Sequence, residues 1–436
     1  MTAPSDLRIC VIGAGPSGLA AAKNLLQAGF RHFTVYEKND QVGGNWLYSA
    51  RPGHSSVYES ARTISSKSLS QYEDFPFPEN YPPYPSQPEL LTYFKNYAAH
   101  FGLLNNIRFG TQVQHVKKVS DHRWVVQLDN NVREEFHALF VCNGHHWDPR
   151  MPKVPGDFTG RFLHSHDFKS VGEFRRDRVL VMGGGNSAAD IAVQVTQASG
   201  RCAMSLRRGY HVIPRFLFGV PSDIWYARVA SLPLPLIKSM GSLLRLAVSA
   251  YTRHGMPKPD HALFECHPVI NSQLLYYLRK RRIQITRDVQ RFEGREVWFA
   301  DGSHATFDTV IACTGYRISF PFFDRELIHF DEGIPPLYLR MFHPRHRNLF
   351  FVGLVQPNGC IWPISDLQAK IAVNYLAGNY RLPDDLETRA NEEAEQIRRS
   401  FIRSPRHSLE VHFHQFRRLL LSQVPASAPG WNGAER

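Results

Sequence analysis

A chain of 436 residues is long enough for two ordinary cores, and 43% hydrophobic with 21% charged residues is the balance of a folded globular protein. That excludes a disordered, collagenous or coiled-coil chain. The 51 Lys and Arg against 39 Asp and Glu leave a formal charge of +12, a surface that favours anionic partners such as nucleotides.

The first predicted element is a short apolar strand from Arg8 to Gly13, followed by a helix over Pro16 to Ala28 with alanine and leucine at helical spacing. Between them Gly13-Ala-Gly15-Pro-Ser-Gly18 fits the GxGxxG turn, in which bare backbone approaches a pyrophosphate at a helix N-terminus. Glu37 ends the next strand, 24 residues after Gly13, where a carboxylate accepts ribose hydroxyls. The strand begins too early to leave room for a signal peptide. The run Asp74 to Pro88 interleaves six prolines with Phe75, Phe77, Tyr81 and Tyr84. It reads as a stiff connector, compatible with an aromatic wall. Alternating stretches at Gln112–Val119, Arg123–Leu128 and Phe136–Cys142 predict a β-meander.

The strand–turn–helix unit recurs about 170 residues on, as Arg178 to Gly183 and then Asn186 to Ala198. Its turn, Gly183-Gly-Gly185-Asn-Ser187-Ala188, is followed by Ser205-Leu-Arg207-Arg208 instead of an acid. A guanidinium there suits a 2′-phosphate, so the second turn is expected to prefer NADPH to NADH. The segment Pro221 to Pro259 is apolar and helix-prone, a candidate substrate gate or subunit contact as well as ordinary core. Strands return at Glu296–Ala300, Asp308–Cys313 and Asn348–Gly353, with a helix over Asp366–Leu376. Leu409, Phe413, Phe416 and Leu420 give a last helix one apolar face, with Arg403, Arg406, Arg417 and Arg418 among its polar residues and a frayed tail from Pro425. The run from Leu349 to Ser365 is uncharged but broken by glycines and prolines, so no membrane-spanning helix is expected.

One acidic and one basic dinucleotide turn imply FAD and NADPH, and hence hydride transfer between them. The six cysteines are scattered with no CxxC pair, so a dithiol is not the electron acceptor; molecular oxygen is the natural alternative. His164, His166 and Asp167 could be read as a metal cluster, but no metal is expected.

Phe158-Thr-Gly160-Arg-Phe-Leu-His164-Ser-His-Asp-Phe168-Lys169 matches FxGxxxHxxx(Y/F)(K/R), and here the chain resembles the flavin-containing monooxygenases over most of its length. Gly43-Gly44-Asn45-Trp46, Asn143-Gly-His-His146, Ala312-Cys-Thr-Gly-Tyr316 and Phe351-Val-Gly-Leu354 are similar to landmarks of that family. Baeyer–Villiger relatives carry Trp where Phe168 stands. The resemblance implies an α/β fold of two Rossmann-like dinucleotide-binding domains, glutathione-reductase-like, with the NADPH domain inserted in the FAD domain. The expected boundaries are 1–172, 173–318 (its C-terminal end between 285 and 318) and 319–436. It also implies an N,N-dimethylaniline monooxygenase-like enzyme that inserts one oxygen atom from O2 into an amine nitrogen or thioether sulfur through a C4a-hydroperoxyflavin. Gly13, Gly15, Gly18, Glu37, Asn45 and Trp46 would hold FAD; Gly183, Gly185, Ser187, Ala188, Ser205 and Arg207 would hold NADPH.

One departure bears on catalysis. Where relatives place an active-site Asn after Thr63, this chain has Ile64, which leaves Ser65 and Ser66 as the candidate polar groups. An uncoupled NADPH oxidase releasing H2O2, oxygenation of small ketones, and a non-catalytic nucleotide-sensing flavoprotein are the alternatives. His164 is read as a structural residue and not as a proton donor. The expected partners are a small nucleophile and O2, with no nucleic acid; the expected location is cytoplasmic, and a homodimer is allowed.

Overall fold

The structure, a computed structural model, describes residues 6–51, 53–229, 251–328, 330, 333, 335–402, 407–426 and 428. In chain order the principal elements are β1 (Ile9–Ile12), α1 (Pro16–Gln27), β2 (Phe33–Tyr36), α2 (Gln87–His100), β3 (Ile107–Arg108), β4 (Val113–Ser120), β5 (Arg123–Leu128), β6 (Arg133–Phe136) and β7 (Ala138–Val141). Then come β8 (Arg161–His164), β9 (Val179–Met182), α3 (Asn186–Ser199), β10 (Cys202–Ser205), α4 (Ser222–Val229), β11 (Ile283–Thr286), β12 (Val289–Glu293), β13 (Glu296–Phe299), β14 (His304–Thr306) and β15 (Thr309–Ala312). The chain closes with β16 (Leu349–Phe351), α5 (Ile361–Leu376), α6 (Leu386–Ser400) and α7 (Phe413–Gln423).

These elements fall into two compact units, one of residues 1–47, 67–146 and 317–436, the other of 48–66 and 147–316. Compared with the domains expected from the sequence, 48–66 and 147–172 belong to the second unit and 317–318 to the first.

In the first unit a parallel sheet has the order β16–β7–β1–β2–β3. Its central strands, Ile9–Ile12 and Ala138–Val141, are apolar and buried throughout, as strands covered on both faces must be. The small residues Ala20, Ala21 and Ala22 are fully buried on α1, which packs against α5. The buried Lys23 ammonium on α1 donates to Asp366 of α5 and to Asp74, each at 2.7 Å. The meander β4–β5–β6 supplies a second core around Trp124 and Phe136.

Four expectations are corrected here. The third meander strand is Arg133–Phe136, whereas 138–141 joins the parallel sheet beside β1. The helix expected from Asp366 begins at Ile361, because Pro363 falls in its first turn, where a missing N–H costs nothing. Leu409 precedes the C-terminal helix, which starts at Phe413; Arg403 and Arg406 lie outside the described residues. The proline-rich run is more than a connector: Phe77 meets Tyr93 of α2 at 4.0 Å, and Phe75 lies 5.4 Å from the same ring.

In the second unit the parallel order is β11–β10–β9–β15–β8, with an antiparallel sheet β12–β13–β14 beside it in sequence. Of the segment expected to gate substrate, 230–250 lies outside the described residues, as does most of the tail from Pro425. Among the described residues no helix is long and apolar enough to cross a membrane.

Candidate functional site

Both sheets present a strand, a glycine turn and a helix at the carboxyl edge of a central strand. That edge is where an open α/β sheet leaves room for a ligand. In the first unit Gly13 has φ +101°, a conformation that favours glycine. A Cβ on Gly18 would lie 1.8 Å from the Gly13 carbonyl oxygen, so the first turn of α1 sits against the glycine turn as only glycine allows. Gly15 faces Gly44, where a Cβ would come 3.0 Å from the Gly15 Cα. Two bare glycines thus flank the start of α1. No side chain caps that helix and its first turn carries no acid, so its N-terminal dipole is left uncompensated.

Glu37 follows β2 and is 5% exposed. Its Oε2 accepts the Ala14 N–H at 2.8 Å and its Oε1 accepts the Asn39 N–H at 2.9 Å. Burial pushes its carboxyl above the usual range, against the pull of those two N–H groups. One acceptor direction on each oxygen is used, and each carboxylate oxygen has another to offer a hydroxyl. Asn45 Nδ2 donates to the His146 carbonyl at 3.2 Å, and Trp46 meets Trp362 edge-on at 6.2 Å. These residues fit an adenine dinucleotide lying across the start of α1.

In the second unit Gly183 has φ +122°, and a Cβ there would stand 2.5 Å from the Cys313 carbonyl oxygen. The Tyr210 ring covers Gly184 so closely that a Cβ would lie 2.0 Å from it. Gly185 caps α3, again with no side-chain cap and no acid in the first turn. Ser187 is exposed and Ala188 buried. Ser205 ends β10, is buried, and donates its hydroxyl to the Arg287 carbonyl at 2.8 Å. Arg207 is exposed just beyond. Arg208 is half-buried, with its guanidinium 5.8 Å from the Tyr210 ring and a buried Nε that lacks a hydrogen-bond partner. This cationic edge fits a phosphorylated ribose.

Thr63, Ser65 and Ser66 are buried and Ile64 is half-buried, all within the second unit. The Thr63 Oγ1 is buried without a hydrogen-bond partner, a polar atom of the kind a ligand satisfies. The Ser66 N–H donates to Asp223 Oδ2 at 2.5 Å, and burial raises the Asp223 carboxyl.

His164 ends β8, with Nδ1 accepting the His166 N–H at 3.1 Å and Tyr316 edge-on at 5.3 Å. Burial, with His166 as a second cause, pushes its imidazole down to about 4, so it is neutral at pH 7. Its setting is that of a packed, neutral ring. His166 instead meets Asp167 at 3.0 Å, and among the described residues no three His, Cys, Asp or Glu converge as metal ligands would.

Reading motifs alone missed Tyr58, Asp190, Asp223 and Tyr210. Asp190 and Gln194 could have been noticed as a polar pair one turn apart on α3, between the buried Ile191, Val193 and Val195. In the sequence Lys169 only closes the FxGxxxHxxx(Y/F)(K/R) fingerprint. In the structure its buried ammonium holds Ser56 and the His54 carbonyl.

A family model described as flavin-binding monooxygenase-like matches residues 6–427. Flavin-containing monooxygenase 5 of Rattus norvegicus is 34% identical over 430 residues, covering 92% of this chain and 80% of its own. Dimethylaniline monooxygenase [N-oxide-forming] 2 of the same organism is 33% identical over 401 residues, 87% of this chain and 75% of its own. The solved structure of S-allyl-L-cysteine S-oxygenase from Allium sativum superposes with a TM-score of 0.72 at 22% identity, covering 96% of this chain and 88% of that one.

Proposed function

As the chain belongs to the flavin-binding monooxygenase-like family, we propose that its first unit binds FAD at the Gly13–Gly18 turn and its second binds NADPH at the Gly183–Ala188 turn. The protein is an FAD- and NADPH-dependent monooxygenase that transfers one oxygen atom of O2 to a soft nucleophile, an amine nitrogen or a thioether sulfur. The observation that carries the cofactor assignment is the asymmetry of the two turns. A buried carboxylate, Glu37, stands behind the first and an exposed guanidinium, Arg207, behind the second.

When bound, the flavin supplies the chemistry of accepting hydride from NADPH and activating oxygen. Gly13, Gly15 and Gly18 admit a pyrophosphate to the dipole of α1, Glu37 accepts ribose hydroxyls, and Asn45 and Trp46 flank the same cofactor. Gly183, Gly185, Ser187 and Ala188 would do the same for the second nucleotide at α3, with Ser205 and Arg207 the residues that would hold its adenosine ribose and 2′-phosphate. Ser65 and Ser66 are the proposed polar groups of the catalytic segment. Ile64 offers hydrocarbon where an amide would bond, so its contribution is the exclusion of water. A cytoplasmic location and a homodimer belong to the same proposal.

Stoichiometry tests the reading. With excess N,N-dimethylaniline, the N-oxide formed should match the NADPH oxidised, with little H2O2. Peroxide equal to NADPH with every amine and thioether tried would overturn it. That outcome is the second reading, an oxidase, and Ile64 is the residue that favours it.

A further inference from the structure

Residues 54–66 form an irregular arm laid on the second unit and tied to it at four places. The Lys169 ammonium, 5% exposed, donates to the His54 carbonyl at 2.9 Å, the Ser56 carbonyl at 3.2 Å and the Ser56 Oγ at 3.0 Å. The Glu59 N–H returns a bond to the Lys169 carbonyl at 3.0 Å. The Tyr58 hydroxyl donates to Asp190 Oδ2 at 2.6 Å, and its ring meets Phe168 at 5.6 Å. The Ser60 hydroxyl donates to Gln194 Oε1 at 2.5 Å. At the far end lies the bond from Ser66 to Asp223 in the first turn of α4.

Tyr58 and Ser60 lie in a turn closed by the Ala61 N–H on the Tyr58 carbonyl at 3.0 Å, and their hydroxyls reach Asp190 and Gln194, four residues apart on α3. The helix they share is the one whose N-terminus begins at the Gly185 turn.

We propose that this arm couples nucleotide binding at the Gly183–Ala188 turn to the placement of Ile64, Ser65 and Ser66, with Lys169 and Tyr58 as positioning residues that set its register on α3. The inference rests on the reading of those three as the catalytic segment. Lys169 suits the task because its three acceptors are neutral oxygens, two of them on the buried Ser56 and one on the half-buried His54. Removing the ammonium takes three hydrogen bonds from the arm, although the Ser56 Oγ keeps Ser49, and the arm loses its anchor before it reaches α3. An arginine keeps a positive charge and several N–H donors at the same place.

The test compares the FAD-loaded full chain with Lys169→Met, Lys169→Arg and Tyr58→Phe. Tyr58→Phe keeps the ring, and Asp190 keeps the Asn271 Nδ2 at 3.2 Å. Amide hydrogen exchange is followed across residues 54–66 and 183–190, with and without saturating NADP+. In wild type and Lys169→Arg, NADP+ should slow exchange in the arm roughly fivefold or more, the scale of one net hydrogen bond. In Lys169→Met and Tyr58→Phe the arm's protection should vanish while that of 183–190 persists. The same two variants should release severalfold more H2O2 per NADPH in the presence of N,N-dimethylaniline, and their Kd for NADP+ should rise by about the factor of protection that the arm loses. An arm that NADP+ leaves unprotected in wild type overturns the inference, and so does equal protection in all four proteins. A wild type that turns all its NADPH into peroxide sinks the monooxygenase reading instead, and the exchange comparison still decides the arm.

Discussion

Glu37 and Arg207 stand 24 residues after the first glycines of their respective turns, and in the proposed reading their opposite charges divide the labour between two otherwise similar sites. Arg207→Ala should raise KM for NADPH about tenfold or more and leave KM for NADH nearly unchanged, since a charge-assisted bond contributes roughly 1.5–3 kcal/mol. Steady-state kinetics with both nucleotides check this, and equal losses would remove the 2′-phosphate assignment. Ile64→Asn should lower the H2O2 released per NADPH, because an amide supplies hydrogen bonds that a hydrocarbon cannot; an unchanged ratio would leave Ile64 a packing residue. Glu37 and Arg207 could be read from the sequence because each sits at a fixed distance from a glycine turn, whereas Ile64 stood out only through the family resemblance. Tyr58 and Asp190 could not. They are 132 positions apart, and nothing local to either names the other.

Among the elements, α6 carries a half-buried acid with a pH consequence. Glu393 Oε1 accepts the Leu339 N–H at 3.1 Å, in a turn where Leu339 and Arg340 have φ of +49° and +57°. Burial pushes the Glu393 carboxyl up to about 7 from its usual 4.5, partly offset by the Leu339 bond and the Arg340 guanidinium. The folded state therefore holds the proton more tightly than the unfolded chain. The stability this confers is full below about pH 4.5 and fades as pH rises towards 7. Glu393→Gln should gain about 2 kcal/mol relative to wild type between pH 5.5 and pH 8, measured by urea unfolding at the two values. A gap that does not change with pH would contradict the buried-proton account. The two strand–turn–helix units were legible because glycine punctuates an apolar run that is then followed by helical periodicity. Strand β7 was not, since an apolar run of four residues fits either a meander or a parallel sheet. Only its pairing with β1, more than a hundred residues away, settles which it is.

At the scale of the molecule the chain passes between the units four times, after residues 47, 66, 146 and 316. The first and second crossings bracket the arm, and nothing in the composition of 48–66 announces them. Ligand binding should act on each unit separately. Stripping FAD should lower the thermal midpoint, and adding it back at about a thousand times its Kd should restore about 4 kcal/mol. In hydrogen exchange, FAD should protect the turn at 13–18 and NADP+ the turn at 183–188. Protection of both turns by either ligand alone would argue against one cofactor per unit.

The passage of 48–66 into the second unit also governs how this protein can be recombined with its relatives. A chimera cut at the ends of 147–316 would set a foreign α3 beneath a native arm, and the partners of Tyr58 and Ser60 would become a matter of chance. Exchange of 48–66 together with 147–316 keeps the hydroxyls and their acceptors in one inheritance. The heritable module is thus two stretches of sequence, the shorter of which lies inside what looks like the other half of the gene.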